Sequence, residues 1–152
     1  MNSNLIVTAS VLGGISVLLF FLGTIFSATK KKLEFKIHEK FGHRELLGAT
    51  TGANLFGLKS AGFQQIRGNG ALILTHDKLV FLRIAPEKEY VIPVDSILNV
   101  SMPRSFNGKS VFRSLLHIKF AANEGEDEIA WGLKNPEVWK DAIDALIKHA
   151  NS

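Results

Sequence analysis

Five histidines and a cluster of carboxylates are the side chains of this sequence that could coordinate a metal ion or transfer protons. His38 and His43 lie near acidic residues, but the segment lacks the H-E-x-x-H spacing of a helical zinc site. The acidic stretch 124–128 lacks the EF-hand pattern, and we expect it to be a solvated hairpin tip. The sequence therefore predicts no metal site.

Two glycine-containing segments could cradle a phosphate, and neither has the complete pattern. Gly108-Lys109-Ser110 is similar to the end of a phosphate-binding loop, but Pro103 occupies the position of the first required glycine. Gly68-Asn69-Gly70 lacks the third glycine of a dinucleotide fingerprint, because Ile73 stands in its place. No serine lies in a nucleophile elbow. We therefore predict no cofactor, no small-molecule substrate and no catalytic function.

The stretch from Pro103 to Lys119 is the best candidate for a binding site, because it contains basic residues and no acidic one. A basic hairpin with exposed aromatic rings can bind anionic lipid headgroups while the rings insert at the interface. Alternatively, both phenylalanines are core residues and the basic side chains simply cover an exposed strand face. The candidate lipid- or partner-binding residues here are Arg104, Phe106, Lys109, Phe112 and Arg113.

An uncharged segment of 24 residues, 5–28, precedes this region and predicts a transmembrane helix. A helix of this length measures about 36 Å, which exceeds a hydrocarbon core of about 30 Å. Small residues four positions apart could let this helix pack closely against another one, in a membrane-protein partner or a homo-oligomer. The candidate packing residues are Ala9, Ser10, Gly13 and Gly14.

The charges that flank this segment predict its orientation. Residues 1–4 carry no basic side chain, whereas Lys30, Lys31 and Lys32 follow the apolar segment. The positive-inside rule then places the N-terminus outside and the following domain on the cytoplasmic face of the plasma (inner) membrane. The three lysines are also candidates for contact with anionic lipid. We expect a basic linker at 29–44 and one domain at 45–152, whose near-neutral charge argues against nucleic-acid binding.

The domain is predicted to consist of short antiparallel strands followed by one helix. The segment 33–37 alternates and suits either a strand or a continuing helix. Asn107-Gly108 is a hairpin turn signal. Asn135 is a candidate N-cap and Pro136 suits the first helical position. Further strands are expected at 45–53, 71–75, 78–84, 89–93, 96–102, 115–120 and 128–133, and apolar residues at helical spacing follow at 138–150.

Two segments resemble a known family. Gly70-Ala71-Leu72-Ile73-Leu74-Thr75 with Leu79-Val80-Phe81 is similar to the G-x-L-x-L-T…L-x-F signature of GRAM and bacterial PH-like domains. Ile92-Pro93-Val94-Asp95-Ser96-Ile97 resembles the strand that follows in that family, and Trp139 lies in a helix at the matching place. The resemblance covers about 45–150 and implies a bent seven-stranded sheet capped by a helix. It does not imply one function.

The sequence thus predicts an α+β chain: an N-terminal transmembrane helix, then a PH-like, partly open antiparallel β-barrel capped by a C-terminal α-helix. We expect a non-catalytic, single-pass membrane protein that presents this domain to a protein partner, as an accessory or scaffold subunit of a membrane complex. The alternative is binding of anionic lipid headgroups through the hairpin 104–113 and the three lysines.

Overall fold

The computed structural model describes residue 24 and residues 27–42, 46–62, 65 and 67–150. The chain divides into two compact units, Met1–Glu39 and Lys40–Ser152. The two units are described separately below.

The first helix, α1, covers residues 27–41. It includes the segment 33–37, so the helical alternative for that segment is correct and the strand is wrong. Lys30 and Glu34, one helical turn apart, form an ion pair of 3.7 Å between exposed side chains. Such an i, i+4 pair adds a few tenths of a kcal/mol, about 0.3–0.5, to an exposed helix.

Within the described part of the second unit, seven strands form one antiparallel sheet in the order β4-β3-β2-β1-β9-β8-β5. A separate two-stranded hairpin, β6–β7, lies between β5 and β8 in the chain. The strands are β1 Gly48–Leu58, β2 Gly68–Leu74, β3 Lys78–Arg83, β4 Lys88–Pro93, β5 Ile97–Ser101, β6 Ser105–Phe106, β7 Lys109–Ser110, β8 Leu116–Ala122 and β9 Gly125–Gly132.

The sheet is bent by register shifts in the long first strand. One shift lies between Thr50 and Ala53 on the side of β2, and another between Leu55 and Gly57 on the side of β9. Bulges of this kind bend a strand and increase its twist. A single 3₁₀ helix, Val94–Ser96, joins the two edge strands β4 and β5, so the sheet must curve to bring these edges within one short connection.

The predicted closure of the sheet into a barrel is wrong. Within the described residues, β4 and β5 are not hydrogen-bonded to each other, so the structure is an open sheet and not the expected barrel. The expectation rested on short strands and a closing helix, and these local patterns do not determine whether two edges pair. The described residues include no helix with the length and hydropathy needed to span a membrane. Most of the predicted span, 5–28, lies outside the described residues.

The two faces of the sheet bury apolar clusters of different size. The inner face carries the larger one, which includes Leu72, Phe81, Leu116 and Trp131, all with no more than 1% of their surface exposed. On the outer face, one cluster, called the outer cluster below, consists of Phe56, Phe106, Leu115 and Ala130, with Val111 packed against it. Further buried apolar residues of β2 and β3 lie on this face, because they alternate with inner-face residues; they are Ala71, Ile73, Val80 and Leu82. Because side chains alternate along a strand, neighbours such as Leu115 and Leu116 contribute to opposite faces.

The second helix, α2, covers Pro136–Ala150 and packs on the inner face. It starts at Pro136, as predicted, while Asn135 has a left-handed backbone with φ of 57°. Ile143 of α2 is fully buried. Trp139, Ala142, Leu146 and Ile147 of the same helix pack against the inner cluster at partial burial. This spacing is the apolar stripe that the sequence predicted.

Candidate functional site

The segment 103–115, called the basic hairpin below, folds around the turn that its sequence predicted. Asn107 and Gly108 adopt φ of 48° and 72°, and Ser105 and Phe106 pair with Ser110 and Lys109. Positive φ at both central residues is typical of a type I′ turn, whose twist matches a two-residue hairpin. The prediction of a turn at Asn107-Gly108 is therefore confirmed.

The strands of the basic hairpin are fixed to the outer face of the sheet. Phe106 is 8% exposed and belongs to the outer cluster. Asn107 donates a hydrogen bond from Nδ2 to the carbonyl of Leu58, 3.2 Å away. Lys109 donates from Nζ to the carbonyl of Gln65 at 3.1 Å. These contacts join the turn to the connection that follows β1, so its position depends on residues distant in sequence.

The other end of the basic hairpin presents an aromatic ring to solvent. The amide of Val111 donates to the carbonyl of Arg104 at 2.9 Å, and the amide of Leu115 donates to the carbonyl of Pro103 at 2.8 Å. These two bonds close a loop that contains Phe112 and Arg113. The side chain of Phe112 is fully exposed, with a relative accessibility of 104%. Arg104 and Arg113 are exposed as well.

The cations of the basic hairpin differ in their partners from several lysines elsewhere in the described residues. Lys40, Lys59 and Lys119, for example, each form an ion pair with a glutamate. Within the described part of the chain, no carboxylate forms an ion pair with Arg104, Lys109 or Arg113. Their positive charge is therefore left to act on a ligand or on solvent ions.

The structure separates the candidate residues that the sequence grouped together. Phe106 is an anchor in the outer cluster and cannot insert its ring into a membrane, whereas Phe112 presents its ring completely. Lys30, Lys31 and Lys32 are exposed on α1, in the other unit. The proposed helix-packing residues all lie outside the described residues; they are Ala9, Ser10, Gly13 and Gly14.

Sequence reasoning missed a chain of polar side chains on the outer face. The Oγ of Ser101 lies 2.8 Å from Nδ1 of His117, and Nε2 of His117 lies 3.1 Å from Oε2 of Glu128. Lys59 donates from Nζ to Oε1 of Glu128 at 2.6 Å. The hydrogen bonds from Lys59 and His117 hold the pKa of the Glu128 carboxyl below its usual value, against the opposing effect of burial. The register pairing Ser101↔His117 brings the first two residues together, and pairing between β8 and β9 adds the third.

This hydroxyl–imidazole–carboxylate chain contains group types that activate nucleophiles in enzymes. Here it lies under the basic hairpin, because the Phe106 ring packs against the imidazole of His117 with centroids 5.3 Å apart. Glu128 is also engaged by Lys59. We therefore interpret the hydrogen-bonded side chains Ser101, His117 and Glu128 as a polar connection between the sheet and the hairpin that rests on it.

A second missed residue is Arg67, which precedes β2. Its guanidinium carbon lies 3.8 Å from the centroid of the Phe56 ring, a cation–π contact on a member of the outer cluster. Arg67 is exposed. A single basic residue 37 positions before Arg104 gives no sequence signal that the two lie on the same face.

Comparison with known proteins yields a structural likeness only. No family model matches the chain, and no curated protein matches it. The chain is similar to a solved structure described as the C-terminal domain of an unknown protein from Leishmania infantum, with a TM-score of 0.54 and 14% sequence identity. The match covers 77% of this chain and 96% of that one. A likeness at this identity supports the fold, an antiparallel sheet domain with a C-terminal helix, and says nothing of activity.

Proposed function

We propose that this chain is a non-catalytic binding module that attaches to anionic membrane surfaces through the basic hairpin. The observation that carries the proposal is the complete exposure of Phe112 in a loop flanked by exposed Arg104 and Arg113. A large apolar side chain held in water has an unfavourable free energy, which insertion into the headgroup region of a bilayer would relieve.

The charge around Phe112 suits the same surface. An arginine near an anionic bilayer contributes about 1 kcal/mol of binding free energy. Arg104 and Arg113 have no ion pair among the described residues, so membrane binding would not require them to leave a carboxylate. The backbone hydrogen bonds from Val111 to Arg104 and from Leu115 to Pro103 close the Phe112 loop, and Phe106 anchors the hairpin that carries it. This order reduces the ordering cost of binding.

Co-sedimentation of the full-length chain with vesicles tests the proposal. Neutral phosphatidylcholine vesicles are compared with vesicles that contain phosphatidylserine, at low and at high salt. We expect preferential binding to the anionic vesicles, weakened by salt because the Debye length shortens. Phe112→Ser should lower the affinity about tenfold, which corresponds to the transfer free energy of part of a phenyl ring. Arg113→Gln should lower it about fivefold.

Matched control variants lie elsewhere on the second unit. Val138→Ser removes another exposed apolar side chain, 62% exposed on α2, and Lys134→Gln removes another exposed positive charge. Both controls should leave vesicle binding unchanged. Equal losses for Phe112→Ser and Val138→Ser would contradict a specific role for the hairpin. A different outcome would favour the protein-partner function expected from the sequence: Phe112→Ser and Arg113→Gln leave vesicle binding unchanged, and another protein co-purifies with the chain in stoichiometric amount.

Two further expectations remain predictions. The location at the cytoplasmic face of the plasma membrane rests on the lysines at 30–32 and on the positive-inside rule. The likeness to GRAM and bacterial PH-like domains rests on the strand signatures quoted above. The seven-stranded antiparallel sheet with its C-terminal helix is compatible with that family.

A further inference from the structure

Two cations on the outer face are held in position by groups that leave their charge uncancelled. Arg67 stacks on the Phe56 ring, and Lys109 donates one hydrogen bond to the Gln65 carbonyl. An aromatic ring and a carbonyl oxygen orient a cation, but neither carries a formal negative charge. Side chains fixed in this way offer donors to an anion at a lower entropic cost than free surface lysines do.

Several contacts place these two cations in one neighbourhood. Lys109 donates to the Gln65 carbonyl, and Arg67 follows Gln65 by two residues. The Cα atoms of Gln65 and Arg67 are therefore at most about 7 Å apart. Phe56, which lies under Arg67, shares the outer cluster with Phe106, and Phe106 is the register partner of Lys109. Both side chains therefore lie beside aromatic members of the outer cluster.

We propose that Arg67 and Lys109 bind a phosphate group. A guanidinium stacked on a ring keeps its N–H donors at the rim of the stack, where they can form a bidentate contact with phosphate oxygens. The Lys109 ammonium has three N–H donors, and the Gln65 carbonyl occupies one of them. This inference deepens the proposed function and rests on it where the phosphate belongs to a lipid headgroup. In that case Phe112, Arg104 and Arg113 attach to the membrane, while Arg67 and Lys109 recognise the headgroup.

Titration of the full-length chain with inorganic phosphate tests the site directly. The probe is the Nε–Hε resonance of Arg67 in a ¹⁵N-correlated NMR spectrum. We expect a saturable shift of this resonance, and a loss of affinity of about tenfold in Lys109→Gln. Arg67→Lys retains the charge without the planar donor edge, and it should lower the affinity measured by ³¹P line broadening about as much. Lys134→Gln, which removes an exposed positive charge next to α2, should leave phosphate binding unchanged.

Vesicles distinguish the two sources of the phosphate. Phosphatidic acid, a phosphomonoester, is compared with phosphatidylserine in vesicles adjusted to equal surface potential. A larger effect of Arg67→Lys on phosphatidic acid vesicles supports a headgroup site. Saturable phosphate binding without any such difference supports a site for free phosphate. An unsaturable shift at Arg67, or equal phosphate affinity for wild type, Lys109→Gln and Arg67→Lys, would overturn the proposal.

The variants also separate this inference from the proposed function. Phe112→Ser should lose vesicle affinity and retain phosphate binding, because its ring lies outside the phosphate site. If vesicle binding is unaffected by Phe112→Ser while the phosphate titration succeeds, the membrane function fails and the phosphate site stands. If the reverse holds, the membrane function stands without this site.

Discussion

The inner face of the sheet and the part of its outer face under the basic hairpin differ in the amount of apolar surface that they bury. The inner face buries a continuous apolar cluster under α2, with Trp131 and Phe81 in tilted contact, their ring centroids 5.9 Å apart. Under the basic hairpin, the outer face buries the small outer cluster and surrounds it with hydrogen-bonded polar groups. The comparison indicates that the contact with α2 buries more apolar surface than the contact with the basic hairpin, whose smaller cluster holds the hairpin on the sheet.

The composition of the two covers reflects this difference. α2 lays an apolar stripe of four helical turns over the inner face, as expected for an element whose role is burial. The hairpin has only two residues in each strand and is held by single hydrogen bonds to distant carbonyl groups. A cover with so few contacts opens at a lower free energy than the core does.

The largest expected effect comes from adjacent leucines on opposite faces. Leu116→Ala should cost about 3–5 kcal/mol of unfolding free energy, because Leu116 is fully buried in the inner cluster. Leu115→Ala should cost about 2–3 kcal/mol, since the rest of the basic hairpin can settle into the space. Urea unfolding at pH 7, followed by tryptophan fluorescence, measures both. Only Leu115→Ala should also weaken vesicle binding by the folded protein.

Equal stability losses for the two leucines would break the comparison, because the outer face would then contribute as much as the inner one. Unchanged vesicle binding in Leu115→Ala would show that the hairpin does not need the outer cluster for its position.

A smaller effect is expected at Asp127, where β9 meets the connection after β1. Asp127 is 8% exposed, and its carboxylate accepts hydrogen bonds from the Ser60 amide at 3.0 Å, the Ser60 hydroxyl at 2.6 Å and the Glu128 amide at 2.8 Å. Asp127→Ala leaves these donors without their acceptor and should cost about 1–3 kcal/mol. Asp127→Asn retains one acceptor oxygen and should cost less. Thermal unfolding of both variants measures the difference, and equal losses would refute the hydrogen-bonding explanation.

The sequence predicted the elements better than their arrangement. The strand at 115–120 and the helix after Pro136 were found, because alternation and helical spacing are local properties. Which of Phe106 and Phe112 is buried is not a local property of the sequence. Both rings flank the same turn, and contacts with Phe56 and Ala130, from other strands, and with Leu115 determine which ring is buried.

The ion pair of Glu128 could not be predicted from the sequence either. In the sequence it ends an acidic stretch that reads as a solvated tip, but β9 begins at Gly125 and places Glu128 on the outer face. Its partners Lys59 and His117 come from two other segments, and pairing between strands brings them together. No spacing in the sequence encodes that contact, because sheet order is set by the folding of the entire domain.

The smallest expected effect is the pH dependence that Glu128 gives to stability. Its pKa is lowered in the folded state by the hydrogen bonds from Lys59 and His117, so the folded protein binds fewer protons than the unfolded chain at moderately acidic pH. The stabilisation is therefore complete above the unfolded value of about 4.3 and is lost as the pH falls through the lower folded value. Glu128→Gln should cost only about 0.5–1 kcal/mol at pH 7, since the side chain is partly solvated. The variant should also flatten the decline in unfolding free energy below about pH 4.3, measured by urea titration at stepped pH. If the unfolding free energy of Glu128→Gln declines as steeply as that of the wild type, other carboxylates cause the acid sensitivity. The polar groups around Glu128 would then position the hairpin without adding to the stability of the fold.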